Sequence, residues 1–461
     1  MIDQSRVDKY GGTSLSTAER DKSALTLTLE DRAVLNQDGT LVLVCSGAGK
    51  IDGTPEGRKA TDHAYDIVQG RNSETEWRIM QDMFYANLHE HKLERSLIDS
   101  LVVESTSLLQ SGNLDPQAQA RIIGLPERVK ARILMEAGKA THPSLEFVLL
   151  DYDQNGMFGV SNHPGNIDVP VGHQQTLKAI AKISRERDLA GKVVVVPGFI
   201  GTKVGTKEMV TLQRGMSDGT ATYWGAALYS DEVRIWSDNN GISPVDPSII
   251  PGLNPISQLT YREAEAFAGL GAKIINDVAL RPARERGVPV RILNSFEPNH
   301  LGTTIKAVAN GKRNDFGVKA VAQTEGYTMI TVYNMPMLKA GVAAEVESTF
   351  ARHGYNVETL NDGDSCRTYA VFAKPNLGDL LLDLKRDDHP TKTANGFARV
   401  TLVGEEMGYT ATAIFFSTLN TLGIKPKIFQ FSDDSIIVDA FMREQYVHNV
   451  VTRLYRQLFT N

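Results

Sequence analysis

Short apolar runs that alternate with helix-forming segments constrain the fold of this chain more than any other feature. Leu41–Cys45, Phe147–Asp151, Val193–Val196 and Arg234–Ser237 have the length of buried strands, and most are flanked by segments with helical spacing. This alternation favours βαβ units, in which helices cover a mainly parallel sheet. We therefore predict an α/β fold with a mainly parallel central sheet between helices.

A long helical region is predicted between the first two strands. Apolar residues recur at helical intervals from about Asp62 to Leu134, and the polar stretch Gln110–Gln119 interrupts them. Methionine and aromatic residues at this spacing usually belong to a hydrophobic core. The region therefore predicts packed helices and no cofactor-binding segment.

The pattern changes after about Val318 and then repeats. Residues 318–388 are predicted to form strand, helix, strand, strand and helix, and residues 396–461 repeat that order. Such repetition predicts a tandem pair of small α+β domains. The predicted partition is one large domain over residues 1–306, followed, after the charged connector Lys312–Asp315, by two small domains over 318–388 and 396–461.

Composition excludes several classes of protein. The chain of 461 residues has 49 basic and 55 acidic residues, a formal net charge of −6, so it lacks the basic surplus typical of a nucleic-acid binder. Cys45 and Cys366 lie too far apart in the sequence to suggest a disulfide framework or a metal cluster. The N-terminus lacks a signal-peptide core, and no apolar run is long enough to cross a bilayer. We expect a cytoplasmic protein without nucleic-acid or membrane partners.

The first motif that could carry chemistry is Lys-Tyr-Gly-Gly-Thr-Ser at Lys9–Ser14. Gly11 and Gly12 allow a close approach of the backbone to a ligand, and their amides could cradle phosphate oxygens. Lys9 would place a positive charge where charge develops on a transferring phosphoryl group. A simple strand-to-helix turn would also account for these residues.

A second glycine-rich loop, Cys45–Lys50, follows a predicted strand and contains Ser46 and Gly49. Open α/β sheets bind ligands at the carboxyl ends of their strands, and this loop lies at such an end. A tight connection explains the small residues equally well, so both interpretations stay open.

The densest motif is Arg-Gly-Met-Ser-Asp-Gly at Arg214–Gly219, directly before a predicted helix. Ser217 or Asp218 could cap that helix. Capping does not explain Arg214, whose guanidinium group suits bidentate binding of a carboxylate. An anion site formed by Arg214, Gly215 and the helix N-terminus is the favoured interpretation.

Three further features are weak when taken singly. Glu127 follows a proline at a predicted helix start, where the helix dipole favours an acidic residue. Ser237 and Asp238 end a predicted strand and suit either a nucleotide site or a turn. Lys273 and Ile274 lie on an apolar helix, where a lysine is usually solvated.

Taken together and in order, these segments resemble the aspartate kinases of the amino-acid kinase superfamily. The motifs that carry the resemblance include KYGGTS, PERVKARIL, TLQRGMSDGTA, VRIWSDNNGI and PVRILNSFEP. The C-terminal pair of small domains similarly resembles the tandem ACT regulatory domains of these enzymes. The resemblance covers most of the chain and implies transfer of the ATP γ-phosphoryl group to the side-chain carboxylate of aspartate.

The resemblance also implies roles for individual residues. Lys9 and Asp218 would be catalytic, Glu127 would hold the α-amino group of the substrate, and Arg214 its α-carboxylate. Mg²⁺ would accompany ATP, positioned with the help of Asp218 but without a directly assigned ligand. The implied nucleotide-binding residues are Lys9, Gly11, Gly12, Ser237, Asp238, Lys273 and Ile274, and the implied substrate-binding residues are Ser46, Gly49, Glu127, Arg214, Gly215 and Ser217. An amino-acid effector at the ACT domains and a homodimer or higher homo-oligomer are further expectations.

Departures from the family pattern keep two alternatives open. Ser243 and Ser248 stand where the family has Tyr and Arg in its nucleotide loop, and Ile51 lies about where it has a substrate-contacting Thr. A specialised relative that phosphorylates another small carboxylate, or a catalytically weak amino-acid-binding regulator, would tolerate these changes. Retention of four charged site residues speaks against the regulator: Lys9, Glu127, Arg214 and Asp218.

Overall fold

The structure is a computed structural model. It describes residues 5–30, 39–49, 57–159, 172–203, 205–270, 277–308, 316–336, 341–362, 365–372, 374–405, 407–430 and 436–460. Contacts divide the chain into two units: unit 1 comprises Met1–Ile242, Pro255–Glu265 and Lys273–Asn310, and unit 2 comprises Ser243–Asn254, Ala266–Ala272 and Gly311–Asn461.

The helices and strands follow one another along the chain much as predicted. The strands are β1 (Ser5–Tyr10), β2 (Thr40–Cys45), β3 (Phe147–Leu149), β4 (Phe158–Gly159), β5 (Val193–Pro197), β6 (Ile200–Lys203), β7 (Met209–Thr211), β8 (Glu232–Ser237), β9 (Gln258–Thr260), β10 (Val290–Asn294), β11 (Thr303–Lys306), β12 (Ala320–Tyr333), β13 (Glu358–Asp362), β14 (Cys366–Phe372), β15 (Thr391–Val403), β16 (Ile428–Gln430) and β17 (Ile437–Arg443). The α-helices are α1 (Ala18–Glu30), α2 (Ala60–Val68), α3 (Ser73–Glu90), α4 (Ser96–Gln110), α5 (Pro116–Ile123), α6 (Leu125–Thr141), α7 (Gly172–Glu186), α8 (Ser217–Leu228), α9 (Tyr261–Gly269), α10 (Asp277–Arg286), α11 (Val342–Arg352), α12 (Leu377–Arg386), α13 (Tyr409–Thr421) and α14 (Val447–Phe459).

Unit 1 is organised around a sheet with the strand order β3-β5-β2-β1-β8-β10-β11-β9. The first six strands in this order pair in parallel, β11 runs antiparallel to β10, and β9 pairs in parallel with β11. This topology confirms the predicted mainly parallel sheet. The carboxyl ends of β1, β2, β5 and β8 therefore lie at the same edge, where open α/β sheets bind ligands.

Helices cover both faces of this sheet. Every residue of β2 and β5 is buried, as expected of apolar strands with packing on both sides. Residues of α1 and α6 share one hydrophobic core with the sheet, and α8 packs on β1, β2 and β8. A Cβ atom at Gly225 of α8 would lie 2.3 Å from a methyl carbon of Val233, so a glycine there lets the helix lie close to the sheet.

The long helical region between β2 and β3 divides into α2 to α6. Its helices share a hydrophobic core, whose members include Trp77, Met80, Met83 and Phe84. The predicted polar interruption coincides with the break between α4 and α5, where the side chain of Asp115 accepts a hydrogen bond from the Ala118 amide at 2.7 Å. The predicted core role of these methionine and aromatic residues is confirmed.

Unit 2 contains one antiparallel sheet with the order β13-β14-β12-β15-β17-β16. Both predicted repeats have the expected order of elements, with α11 and α12 in the first repeat and α13 and α14 in the second. The two repeats share a continuous sheet because the long strands β12 and β15 pair with each other. Helices α11 and α12 contribute to one core of this unit, and α13 and α14 contribute to another.

Two predicted segments differ from the structure. The strand predicted over Phe147–Asp151 ends at Leu149, and the Asp151 carboxylate beyond it accepts a hydrogen bond from Arg128 at 3.0 Å. The helix predicted over Ala264–Ile275 begins at Tyr261 and ends at Gly269, and the rest of that prediction falls largely outside the described residues. Among the described residues, no helix has both the length and the apolar character needed to cross a membrane.

Candidate active site

A cavity of about 180 Å³ lies at the carboxyl edge of the parallel sheet in unit 1. It brings together residues from the ends of β1 and β2, from the first turns of α2, α6 and α8, and from the loop before α8. The lining residues are Lys9, Gly11, Gly12, Ser46, Gly47, Lys59, Thr61, Glu127, Phe199, Arg214, Gly215, Ser217 and Asp218. The cavity thus collects most of the predicted site residues from distant parts of the chain.

The two glycine-rich loops pack directly against each other. A Cβ atom at Gly12 would lie 2.8 Å from the carbonyl oxygen of Gly47, and the Gly49 amide donates a hydrogen bond to the Gly12 carbonyl at 2.8 Å. Gly49 itself does not line the cavity. Close backbone packing, in addition to any ligand, therefore accounts for Gly12 and Gly49.

An ion pair joins the first strand to the helix that follows the densest motif. Lys9 Nζ lies 2.6 Å from Asp218 Oδ1, without the geometry of a regular hydrogen bond. Ser217 and Asp218 are the first residues of α8, and the preceding Met216 makes no side-chain cap. Neither Ser217 nor Asp218 is therefore the N-cap residue, and the amino end of α8 faces the cavity.

Glu127, in the first turn of α6, is a buried carboxyl group with one unsatisfied oxygen. The side chain of Thr61 donates a hydrogen bond to Oε1 at 3.3 Å, whereas Oε2 has no hydrogen-bond partner in the described part of the chain. Burial raises the pKa of Glu127 to about 7, although hydrogen bonds from the backbone of Gly47 and from Thr61 lower it. A cationic donor would satisfy this oxygen and favour the ionised carboxylate.

Arg214 contributes a guanidinium group at the mouth of the cavity. Its side chain is 64% exposed and forms an ion pair with Asp62. Its Cζ atom lies 5.2 Å from the centre of the Tyr65 ring. The next residue, Gly215, has a φ of +88°, a conformation that glycine adopts readily and other residues avoid.

Ser237, the last residue of β8, and Asp238, which follows it, were predicted to bind the nucleotide and do not line the cavity. The Ser237 carbonyl accepts hydrogen bonds from the amide of Ser295 at 2.9 Å and from its hydroxyl at 3.1 Å. Asp238 is exposed, and its carboxylate accepts a hydrogen bond from the Asn239 side chain at 3.1 Å. Lys273 and Ile274 lie outside the described residues.

Four residues that line the cavity were not among the predicted site residues: Gly47, in the second glycine-rich loop, and Lys59, Thr61 and Phe199. Lys59 and Thr61 lie at the start of α2, beyond residues 50–56, which lie outside the described part of the chain. Thr61 brings a hydroxyl group to the cavity, and this hydroxyl donates a hydrogen bond to Glu127 at 3.3 Å. Phe199 is buried and has a φ of +66°, a backbone conformation that residues other than glycine rarely adopt. No residue near it in the sequence predicts this conformation. The start of the helical pattern near Asp62, the next predicted helix after the glycine loop, was the signal that could have identified Lys59 and Thr61.

The residues of the cavity fit a magnesium ion that arrives with phosphate groups. No group of three His, Cys, Asp or Glu side chains with metal-ligand geometry occurs among the residues that the structure describes. Mg²⁺ often keeps several waters and binds through one or two carboxylates together with substrate phosphates. Asp218 is a carboxylate of this kind, since it lines the cavity and only its Oδ1 pairs with Lys9 among the ion pairs of the described residues.

A family model matches the part of the chain that forms the cavity. The model of the amino acid kinase family matches residues 5–294, which is more than half of the chain and includes every described lining residue of the cavity. The chain belongs to the amino acid kinase family. The resemblance inferred from the ordered motifs is thereby confirmed at the level of the family.

Similar proteins of this family include named aspartokinases. Aspartokinase 2, chloroplastic, of Arabidopsis thaliana is 27% identical over 77% of this chain, and the match spans 64% of that relative's length. Lysine-sensitive aspartokinase 3 of Escherichia coli is 25% identical over 82% of this chain and 80% of its own length. The structure of E. coli aspartokinase III in complex with aspartate and ADP matches with a TM-score of 0.79 at 20% identity, covering 99% of this chain and 100% of that one. This last likeness shows a common fold.

Proposed function

We propose that the protein is an aspartate kinase, which transfers the γ-phosphoryl group of ATP to the side-chain carboxylate of L-aspartate. The observation that carries the proposal is the unsatisfied Oε2 of Glu127 in a cavity that also holds Arg214 and Lys9. An α-amino acid matches the first two groups, because its ammonium suits Glu127 and its α-carboxylate suits Arg214. A second carboxylate on the same molecule would then meet Lys9. The named aspartokinase relatives support this substrate.

The proposed reaction needs little acid–base catalysis. A carboxylate oxygen of aspartate bonds to the γ-phosphorus of ATP, and the bond from that phosphorus to the leaving oxygen breaks, which yields 4-phospho-L-aspartate and ADP. The carboxylate is already ionised, so positioning and neutralisation of charge dominate the catalysis. Lys9 would stabilise the transferring group, and Asp218, 2.6 Å away, would hold the Lys9 ammonium in place.

The nucleotide would bind along the carboxyl ends of β1 and β8. Backbone amides of Gly11 and Gly12 would face its phosphates, and Ser237 and Asp238 its nucleoside. Lys273 and Ile274 are proposed nucleotide contacts from the resemblance alone. Mg²⁺, when bound with ATP, would neutralise phosphate charge, and Asp218 is a described residue of the cavity that would hold it.

Substrate binding would involve the remaining residues of the cavity. Ser46 and the amino end of α8, with Gly215 and Ser217, offer hydrogen-bond donors toward carboxylate oxygens. Lys59 adds a third cation to the cavity, beside Lys9 and Arg214. Gly49 would act indirectly, by supporting Gly12.

Unit 2 is the proposed regulatory part of the protein. Its two repeats have the order of elements expected for a tandem ACT pair, and one named relative is a lysine-sensitive aspartokinase. We propose that an amino acid binds there and that the protein is a homodimer or higher homo-oligomer. Consumption of ATP agrees with the cytoplasmic location expected from the sequence.

Coupled ADP-release assays across a panel of amino acids and small dicarboxylates test the proposed activity. Hydroxylamine traps any acyl phosphate as a hydroxamate, which identifies a carboxyl group as the acceptor. Aspartate-dependent ADP release with hydroxamate formation is the expected result. Turnover of an analogue alone would favour the specialised relative, and no turnover with retained amino-acid binding would favour the regulator.

A further inference from the structure

Arg214 is held in a defined position although most of its side chain is exposed. Long exposed side chains sample many rotamers, so a binding arginine is effective only where something limits its freedom. Here its guanidinium group pairs with Asp62, and its Cζ atom lies 5.2 Å from the Tyr65 ring centre. Both contacts come from one helix, α2.

Asp62 links the start of α2 to the guanidinium group. One carboxylate oxygen, Oδ2, accepts a hydrogen bond from the Lys59 amide at 3.2 Å, as the third residue of a capping box does. The other oxygen, Oδ1, accepts from Arg214. The carboxylate is therefore oriented by the helix N-terminus and in turn orients Arg214.

Helix α2 is itself well anchored among α3 to α6, so Asp62 and Tyr65 are fixed with respect to α6, which carries Glu127. The side chains of Ala60, Ala64 and Ile67 are fully buried in the core formed by α2 to α6. On the neighbouring helix, Glu76 binds His63 of α2. Helix α2 also carries Thr61, whose hydroxyl donates a hydrogen bond to Glu127. One helix therefore contacts both the residue proposed to bind the α-amino group, Glu127, and the residue proposed to bind the α-carboxylate, Arg214.

We infer that Asp62 is a positioning residue, which sets the orientation of Arg214 for the α-carboxylate of the acceptor. The inference rests on the proposed function for the identity of the acceptor. Asp62 would act through Arg214 and would not itself contact the reacting atoms. Loss of the Asp62 charge should therefore weaken acceptor binding and leave the phosphoryl-transfer step and the nucleotide site unaffected.

Two substitutions separate this role from a purely structural one. Asp62→Ala removes both contacts of the carboxylate, whereas Asp62→Asn keeps an oxygen that can accept from the Lys59 amide but removes the charge facing Arg214. Both variants should raise KM for aspartate about tenfold, the size of effect expected for a charge-assisted hydrogen bond, with kcat and KM for ATP changed less than about twofold. If only the cap mattered, the Asp62→Asn variant would behave like the wild type.

Asp66→Asn is the matched control, since it removes a carboxylate from the same helix one turn later. Asp66 pairs with Arg58 and Arg71, outside the cavity. This variant should retain the wild-type KM for aspartate. An increase in KM equal to that of Asp62→Asn would show that α2 responds to any lost acidic group and would overturn the inference.

A second measurement is independent of catalysis. Phenylglyoxal modifies accessible guanidinium groups, and peptide mass spectrometry gives the rate at Arg214. Both Asp62 variants should react several-fold faster at Arg214 than the wild type or the Asp66 control. Equal rates would overturn the inference even if the enzyme is active. If the wild type shows no aspartate turnover, the proposed substrate fails, and the modification rates still decide the role of Asp62.

Discussion

Lys9 at the end of β1 and Asp218 at the start of α8 form an ion pair across the cavity, with 2.6 Å between Nζ and Oδ1. Both side chains are largely buried, so the pair is screened less by solvent than a surface pair would be. The lysine ammonium is thereby held at the edge of the sheet where both glycine-rich loops begin. This arrangement fixes a positive charge at the position where the proposed reaction develops negative charge.

Lys9→Ala should lower kcat for ADP release by about 10²- to 10³-fold, because one positioned transition-state contact is lost. The coupled ADP assay measures the effect, and circular dichroism verifies the fold. Lys22→Ala removes the same charge from an exposed position on α1 and serves as the control. A folded Lys9→Ala protein with a nearly normal rate would remove the catalytic role of Lys9.

Aspartate binding near pH 7 should release a proton from Glu127. Since burial raises the pKa of this carboxyl group to about 7, about half of the molecules carry the proton at that pH, and an ammonium ligand favours the ionised form. Release of roughly half a proton per site is therefore expected, falling toward zero at pH 9. Calorimetric titrations in two buffers with different ionisation heats measure it. Identical apparent heats, or release that persists in Glu127→Gln, would argue against this assignment.

The same raised pKa predicts the sign of a stability change. The folded protein retains the Glu127 proton up to about pH 7, whereas the unfolded chain loses it near the ordinary value of 4.5, so the stability of the folded state falls as pH rises between these values. Glu127→Gln should therefore be more stable than the wild type at pH 8, by at most about 3 kcal/mol, and nearly equal to it at pH 4. Urea unfolding at both pH values provides the comparison. A destabilised Gln variant at pH 8 would contradict the prediction.

Gly12→Ala and Gly11→Ala should differ sharply in their effect on stability. A Cβ atom at Gly12 would lie 2.8 Å from the Gly47 carbonyl oxygen, whereas the nearest atoms to one at Gly11 are 3.8 Å away. We expect Gly12→Ala to lower the melting temperature by several degrees, since forced overpacking costs about 1–3 kcal/mol. Gly11→Ala should leave it nearly unchanged. Similar melting temperatures for both variants would mean that the two glycine loops can separate.

Arg399→Ala should destabilise unit 2. Arg399 binds Asp439 through two hydrogen bonds of 2.9 and 2.6 Å and Glu358 through one of 2.9 Å, and Asp439 is buried. Removal of the arginine leaves a buried carboxylate unpaired, which costs about 3–5 kcal/mol. Urea unfolding measures the loss. Arg386→Ala, at an exposed ion pair, is the control and should change stability by less than about 0.5 kcal/mol.

Much of the fold followed from local sequence patterns. Three features were predicted from residues close together in the sequence. They are the apolar runs of β2 and β5, the polar interruption before α5 and the repeated order of elements in unit 2. Their prediction succeeded because periodicity is a local property of the chain. Strand ends were predicted less accurately: the strand predicted to reach Asp151 ends at Leu149, and the Asp151 carboxylate binds Arg128, 23 residues away in sequence.

The candidate site was predicted in part. Lys9 and Arg214 carried enough local chemistry to be recognised, whereas Glu127 was assigned only through the family resemblance, and all three line one cavity. Lys59 and Thr61 were missed because several residues separate them from the glycine loop in the sequence. No local pattern predicts that they line the same cavity as that loop.

The sequence alone determined the classes of structure: a parallel α/β sheet, a tandem α+β repeat and a set of charged residues suited to anions. Only the tertiary structure decided which of these residues meet. The pairing of Asp62 with Arg214, the packing of Gly12 against Gly47 and the shared sheet of β12 and β15 join segments that are distant in sequence. Such contacts depend on how whole elements pack, and no local pattern records that packing.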